Sequence, residues 1–303
     1  MFAQVLSAGA GWVLFLALIL AEGSVAARWV FPIGADGGHG PTSDWIRRQA
    51  ARVGLVAAAL LPIAMALVLV RQIVEFRDPF NPFGEDLKLL LMDTEWGTTW
   101  FLATGAAVVA SAGFILAAFN RRAGWWMATL ATLPLGAFPG SIGHAAGTEQ
   151  LGSLPLIADT LHVWAAGTWM GGLAVLLLME RNWRERREEG VESCLPHLVP
   201  VFSPMAMVSV ATLVATGTFA AWLNLPGLSA LWETGYGRLL VLKLAIVGLV
   251  LLLGAVNWRR LLPRLGEEEG CAAMRRAASL EALLGQVVIF ITAILVRTSP
   301  LGH

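Results

Sequence analysis

Eight long apolar runs constrain this sequence more than any other feature. Each is at least about 20 residues long, the length that an α-helix needs to cross the hydrocarbon core of a bilayer. The chain of 303 residues is 57% hydrophobic and only 14% charged, which exceeds what a soluble domain of this size buries. We therefore predict an all-α polytopic membrane protein in contact with membrane lipids, with eight transmembrane helices over 5–31, 50–73, 97–119, 125–144, 156–179, 199–223, 238–257 and 278–297.

Arginine and lysine are divided unequally between the two sides that these spans define. The loops and span ends of one side hold fifteen of them, including those in the run RNWRERREEG at 181–190, and those of the other side hold five. The positive-inside rule places the arginine-rich side in the cytoplasm and both termini outside. We interpret the run at 181–190 as a solvated topology anchor rather than a nucleic-acid-binding segment. The sequence contains no nucleotide-binding motif.

The two halves of the chain show a weak internal similarity at an offset of 140 residues. DTEWG at 93–97 aligns with ETGYG at 233–237, and Trp29 and Glu22 align with Trp169 and His162. Two units of four helices enter the membrane in the same sense, so this pattern predicts a parallel repeat. The units would be residues 1–150 and 151–303.

The most polar stretch within the apolar region is GHAAGTEQLGSLPLIADTLHVWAAGTWMGG, at 143–172. Its position places His144 at the outer end of the fourth helix and His162 about two turns into the fifth. Helical spacing places Asp159, His162 and Trp169 on one face of the fifth helix. A carboxylate one turn away can accept the imidazole N–H and orient the other nitrogen toward a metal. We predict a metal site at His144 and His162, with Asp159 and Trp169 behind it.

Two prolines, Pro134 and Pro139, precede His144 and predict a bend in the fourth helix. A bent helix end favours a wet vestibule that ends at His144. For His144 an interfacial capping role is an equal alternative. For His162 a functional role is favoured, because ionisable groups within a bilayer are usually functional.

Two further ionisable residues lie within apolar runs. Placing Glu22 within the bilayer costs free energy whichever way its side chain points, because hydrocarbon provides no water to solvate a carboxylate. Lys243 could extend to the outer surface, which is the simpler interpretation. Held inside the bundle, it would pair with Asp159 or Glu22.

Methionines lie in the fifth and sixth helices, in the half nearer the cytoplasm. Met170, Met205 and Met207 offer thioether ligands, although each taken singly is more typical of core packing. Imidazole binds copper in either oxidation state, whereas thioethers favour the reduced ion. Outer histidines and inner methionines would therefore suit a path for Cu(I).

Four segments carry a family resemblance, and the stretches GHAAG and TEWGTTW in the first half carry it more loosely. The four segments are ADTLHVWAAGTWMGGLAVLLL (158–178), FSPMAMVSVATLVATGTFAAW (202–222), LWETGYGRLLVLKLAIVGLVLLLGAVNWRRLLPRL (231–265) and SLEALLGQVVIFITAILVRTSP (279–300). Together they resemble the copper resistance protein D (CopD) family. The resemblance implies a bacterial inner-membrane protein of copper homeostasis that is paired with a small periplasmic copper carrier of the CopC kind. It also assigns His144 and His162 as the metal-site candidates, and it assigns no ligand to Ala220, where the family commonly has a polar residue.

Three functions remain open at this point. The first is a non-enzymatic transporter that moves copper, as Cu(I) or Cu(II), from the periplasm toward the cytoplasm. The second is a redox membrane protein in which histidines hold b-type haem or copper. The third is a docking component that receives copper without moving it.

Overall fold

Helices make up every regular element in the part of the chain that the computed structural model describes, residues 2–36, 41–142, 151–186 and 193–298. Two π-helical turns, Gly167–Gly171 and Asn257–Leu261, and a 3-10 turn, Leu262–Arg264, connect some of them. The α-helices are α1 (Phe2–Asp36), α2 (Pro41–Phe76), α3 (Phe83–Met92), α4 (Glu95–Ala118), α5 (Arg122–Leu135), α6 (Phe138–Ser141), α7 (Leu154–Ala166), α8 (Gly172–Arg186), α9 (Leu195–Asn224), α10 (Ala230–Glu233), α11 (Gly235–Val256) and α12 (Glu268–Leu295).

Seven helical segments of the described chain are long and apolar enough to cross a membrane, which confirms a polytopic membrane protein. They correspond to seven of the eight predicted spans. They are Val5–Ile33, Thr42–Phe76, Glu95–Ala118, Leu154–Glu185, Leu195–Asn224, Gly235–Arg264 and Glu268–Leu295.

The fourth predicted span, 125–144, is not one continuous helix. It is divided into α5 and α6 by a turn at Gly136 and Ala137. Pro139 has no N–H with which to continue the helical ladder to Leu135, so the break follows from the sequence. Helix α5 packs closely on α4, where a β-carbon at Gly113 would lie 2.5 Å from the Ala128 nitrogen. Whether α5 and α6 together make the eighth crossing stays a prediction.

Helix α1 joins the two halves of the bundle. It packs along α2 and also crosses the π turn that links α7 to α8. At this crossing the backbones touch, since a β-carbon on Gly23 would lie 2.2 Å from the carbonyl carbon of Gly171. Only glycine on both helices allows so close an approach.

The helix starts at Thr94 and Thr234 are built in the same way, 140 residues apart. Each threonine is an N-cap whose hydroxyl accepts from the backbone N–H of a glycine, Gly97 at 3.0 Å and Gly237 at 2.9 Å. A short helix precedes each cap, and hydropathy predicted neither α3 nor α10. This local correspondence agrees with the proposed repeat, which otherwise stays a prediction.

Arg28 is an exception to the charge pattern, because the structure places it inside α1 rather than in a loop. Its side chain is buried, and the guanidinium carbon lies 4.6 Å from the Trp29 ring centre and 5.6 Å from that of Trp125. Aromatic faces stabilise a cation that has little water around it. Arg28 therefore contributes to packing between α1 and α5.

Candidate functional site

His162 is held by a threonine on the neighbouring helix α9. The imidazole Nδ1 lies 2.9 Å from the Thr216 hydroxyl oxygen, and the side chain is half-buried. A β-carbon on Gly217 would lie 3.6 Å from the imidazole Cε1, so the ring lies close to α9. Helices α7 and α9 pack along one another, which fixes this pairing.

The hydrogen-bond pattern decides which imidazole nitrogen carries the proton. The Thr216 hydroxyl donates to the Thr212 carbonyl oxygen at 2.7 Å, and a carbonyl only accepts. The Thr216 oxygen therefore accepts from His162, and we assign the proton to Nδ1 on this basis. Among the described residues the lone pair of Nε2 has no hydrogen-bond partner, which is the state of a neutral imidazole that binds a metal.

Asp159 does not orient His162, contrary to the sequence prediction, because Thr216 takes the Nδ1 proton. The Asp159 carboxylate instead lies against α6, where a β-carbon on Gly140 would be 3.2 Å from Oδ2. It lies within electrostatic range of Lys243 and Tyr236, both on α11. No ion pair within 4 Å joins Asp159 to Lys243 in the described structure.

The π turn Gly167–Gly171 changes the register of the fifth span. A π turn contains an extra residue, so the helical stripe calculated from Asp159 and His162 does not continue to Trp169. Trp169 instead packs against the small apolar cluster of Ile19, Met170 and Ile289, and also against the main core. It therefore contributes to apolar packing within the bundle.

The methionines of the predicted path lie in three different surroundings. Met170 is buried and lies against Gly285 of α12, where an added β-carbon would be 2.8 Å from the sulfur. Met205 packs on Gly172, with its methyl carbon 3.0 Å from a β-carbon placed there. Met207 is 52% exposed on the outer surface of the bundle. Only the first two face the interior.

Glu22 lies in the interface between α1 and the fifth span. Its side chain is 7% exposed, and both carboxylate oxygens are buried without a hydrogen-bond partner. A β-carbon on Gly167 would lie 2.0 Å from Oε2, and one on Gly136 would lie 3.1 Å from Oε1. Glu22 thus occupies a notch that two glycines create.

A separate polar cluster joins the arginine-rich ends of α8, α9 and α12. Buried Glu180 accepts from Arg275 at 3.0 Å, from the Ser193 hydroxyl at 2.9 Å and from the Cys194 backbone N–H at 3.0 Å. Burial, and then the charge of Glu180 and its hydrogen bond, raise the pKa of the Cys194 thiol. Cys194 and Cys271 are both free and buried, so this cluster is structural.

Sequence reasoning missed Thr216 and the two glycines of the Glu22 notch. Thr216 lies in the apolar stretch VATGTF, and only contact with another helix shows its role. Within the described residues no three histidine, cysteine, aspartate or glutamate side chains form a group that could hold a metal ion. His144 lies outside the described residues, so its predicted pairing with His162 stays a prediction.

Two family models match the chain. "Copper resistance protein D-like, N-terminal domain" matches residues 2–154, and "Copper resistance protein D" matches residues 196–295. No solved structure gives a significant match.

Three curated relatives are similar to the chain. Copper transport protein CutJ of Bacillus subtilis (strain 168) is 28% identical over 220 residues, which are 69% of this chain and 38% of the relative. Copper resistance protein D of Pseudomonas syringae pv. tomato is 30% identical over 175 residues, 56% of this chain and 55% of the relative. Inner membrane protein YebZ of Escherichia coli (strain K12) is 25% identical over 225 residues, 72% of this chain and 73% of the relative. The chain therefore spans about half or less of the length of the first two.

Proposed function

The chain belongs to the copper resistance protein D family, and from that premise we propose that it moves copper ions across the bacterial inner membrane toward the cytoplasm. The names of two relatives, a copper transport protein and a copper resistance protein, support copper as the substrate. The multi-pass architecture supports a route through the bundle. The activity is transport rather than catalysis.

The observation that carries this proposal is the free Nε2 of His162 within a helical bundle. An imidazole whose Nδ1 donates to a fixed acceptor presents Nε2 as a ready metal ligand. Imidazole accepts copper in both oxidation states. A cation that leaves water needs such a donor close to the membrane entrance, because hydrocarbon offers it none.

His144 is the proposed second ligand on the outer side. The chain enters its segment from α6, where Pro139 and Ile142 line a cavity of about 290 Å³ that is bounded also by Phe15 and Arg297. This cavity provides the outer vestibule of the proposed route. A periplasmic copper carrier of the CopC kind would deliver the ion here.

Charge balance around the site comes from Asp159 and Lys243. A cation at His162 would be repelled by the Lys243 ammonium, whose charge reaches His162. The negative charge of Asp159 interacts with the same ammonium and offsets that repulsion. Met170 and Met205 then offer sulfur donors farther along the bundle, which suits passage as Cu(I). Met207 is not part of this route.

Copper accumulation in cells tests the proposal. Cells that express the wild-type protein are expected to accumulate more copper than cells without it, and His162→Ala is expected to abolish the increase. His197→Ala is the matched control, since His197 is exposed at the start of α9. Unchanged accumulation in His162→Ala would remove His162 from the mechanism. A Soret band in the purified protein would instead support haem binding.

A further inference from the structure

Glu22 differs from the other buried acidic residues of the described chain in having no partner. Glu180 accepts three hydrogen bonds from nitrogen and oxygen donors, Asp86 accepts from the Asp78 backbone, and Glu281 accepts from the Asn257 amide. Both oxygens of Glu22 are buried without any. Burying a polar group without a hydrogen bond costs about 1–3 kcal/mol. A residue that lowers stability in this way suggests a function.

The notch around Glu22 is formed where two helices depart from α-helical geometry. Gly167 begins the π turn of the fifth span, and Gly136 lies in the break between α5 and α6. The Trp164 indole lies in the same notch, but its N–H donates to the Leu133 carbonyl and not to Glu22. Membrane transporters commonly build ion sites near the bilayer centre from interrupted helices.

Glu22 also lies at a suitable depth in the membrane for a second site on the cation route. It lies near the middle of the first span, Val5–Ile33, and it contacts Gly167. Gly167 is about 7.5 Å farther along the fifth span than His162, at a rise of about 1.5 Å per residue. Glu22 therefore lies farther inward than His162 along the proposed route.

No charged group of the described elements that pack on α1 reaches the Glu22 carboxyl. On α7, Asp159 interacts with Lys243, and His162 is bonded to Thr216. On α8 and α12, Glu180 is bonded to Arg275, and Glu281 is bonded to Asn257.

The charged groups on the remaining described elements around α1 also have other partners or positions. On α2, the Arg71 guanidinium is bonded to Gln72, and Arg52 is bonded to Gln49. Arg122 begins α5, whereas Gly136, which lies beside Glu22, follows the end of that helix, and His197 lies in the first turn of α9. On α1 itself, Arg28 lies over Trp29. An ionised carboxylate with no such partner is strongly disfavoured in hydrocarbon, so the carboxyl holds its proton.

We propose that Glu22 is a proton-exchange site at which a copper cation and a proton compete. As Cu(I) arrives, the O–H bond of the neutral carboxyl breaks, the proton passes to bulk water, and the negative charge of the carboxylate balances the charge of the cation. The proton returns when the cation leaves toward the cytoplasm. Each step conserves charge, and copper does not change its oxidation state. This inference rests on the proposed transport function and identifies what the cation exchanges with.

Proton release in weakly buffered detergent solution tests the exchange. His162 is neutral before it binds copper, so binding there releases no proton, whereas displacement at Glu22 releases about one per cation. Addition of Cu(I) to the wild-type protein is expected to release that proton, and Glu22→Gln is expected to lose the release. Equal proton release from wild type and Glu22→Gln would overturn the proposal.

Labelling with dicyclohexylcarbodiimide provides a second readout, because this reagent modifies protonated carboxyl groups in apolar sites. Mass spectrometry is expected to find Glu22 modified in the wild-type protein, with the labelling lost when Cu(I) is present. Glu281→Gln is the control variant and is expected to retain labelling at Glu22. An unmodified Glu22, or labelling that Cu(I) does not affect, would overturn the proposal.

The two readouts also separate this inference from the proposed His162 site. Protection of Glu22 by Cu(I) that persists in His162→Ala would retain proton exchange and remove His162 from the route. If copper binding depends on His162 but Glu22→Gln releases as much proton as the wild type, His162 would stay in the route and proton exchange at Glu22 would be overturned.

Discussion

The Nδ1 atom of His162 lies 2.9 Å from the hydroxyl oxygen of Thr216, which itself donates to the Thr212 carbonyl at 2.7 Å. This relay connects two neighbouring spans and leaves the other imidazole nitrogen free. Removing the acceptor would free the ring to rotate and to exchange its tautomers. We therefore expect the relay to affect how well His162 binds a cation.

Thr216→Val is expected to weaken copper binding by about 10–100-fold, the usual effect of removing the outer partner of a histidine ligand. Valine keeps the shape of the side chain and removes the hydroxyl, which accepts from His162 and donates to the Thr212 carbonyl. Thr212→Val is the matched control, because the Thr212 hydroxyl bonds within its own helix to Val208, and the Thr212 carbonyl is retained. Titration of purified protein with Cu(I) measures both affinities, and equal affinities for the two variants would contradict the assigned relay.

Gly167→Ala is expected to reduce thermal stability in detergent by about 1–3 kcal/mol, because the new β-carbon would overlap the Glu22 carboxylate and force the helices apart. Gly248→Ala is the control. Gly248 is exposed on α11, and a β-carbon there meets nothing within 4 Å. If both variants melt at the wild-type temperature, the close contact of Glu22 with Gly167 does not exist.

The thiol of Cys194 is expected to resist alkylation by N-ethylmaleimide in the folded protein. Burial and the neighbouring Glu180 carboxylate raise its pKa, so the unreactive thiol form persists above the usual cysteine pKa of about 8.5. The variant Cys271→Ala leaves Cys194 as the single thiol of the chain. Rapid alkylation at pH 8 before denaturation would contradict the buried contact.

The same shift in the pKa of Cys194 predicts a pH dependence of stability. The folded state keeps the thiol proton at pH values where the unfolded state loses it. The contribution is therefore complete below the unfolded pKa of about 8.5 and decreases as the pH rises above it. Cys194→Ala is expected to lose this decrease when melting temperatures are compared between pH 7 and pH 10. If the melting temperature of Cys194→Ala decreases between pH 7 and pH 10 as much as that of the wild type, groups other than Cys194 cause the pH dependence.

Removal of the two equivalent helix caps is expected to have equal effects. Thr94→Ala and Thr234→Ala each remove a hydroxyl that accepts from a glycine N–H, which costs about 1 kcal/mol in typical helices. Thr99→Ala is the control, since Thr99 is half-buried and its hydroxyl donates within its own helix to the Glu95 carbonyl. If one of the two cap variants loses much stability and the other loses none, the two caps do not have equivalent roles in the two halves of the chain.

The sequence was sufficient to predict the membrane class, the family and most of the spans, because each depends on local composition or on contiguous motifs. The interruption of the fourth span could be anticipated from Pro134 and Pro139, although its position at Gly136 could not. The partner of His162 could not be predicted, since Thr216 is 54 residues away in the chain. The register of Trp169 relative to His162 could not be calculated either, because a π turn cannot be recognised from an apolar pattern.

For Glu22 the sequence indicates the energetic cost but not the surroundings of the side chain. Its cost in an apolar run is evident from the sequence, but its lack of a partner depends on all the helices around it. The glycines of its notch, Gly136 and Gly167, come from two other segments. Nothing in the residues adjacent to Glu22 indicates that these segments meet there.

Uptake of Cu(I) into proteoliposomes tests the central claim, a copper route through His162, most directly. The wild-type protein and His197→Ala are expected to take up copper at equal rates. His162→Ala is expected to be slower by about tenfold or more, since losing a ligand costs at least as much as losing its outer partner. Uptake by His162→Ala at the wild-type rate, in protein that inserts normally, would contradict the account.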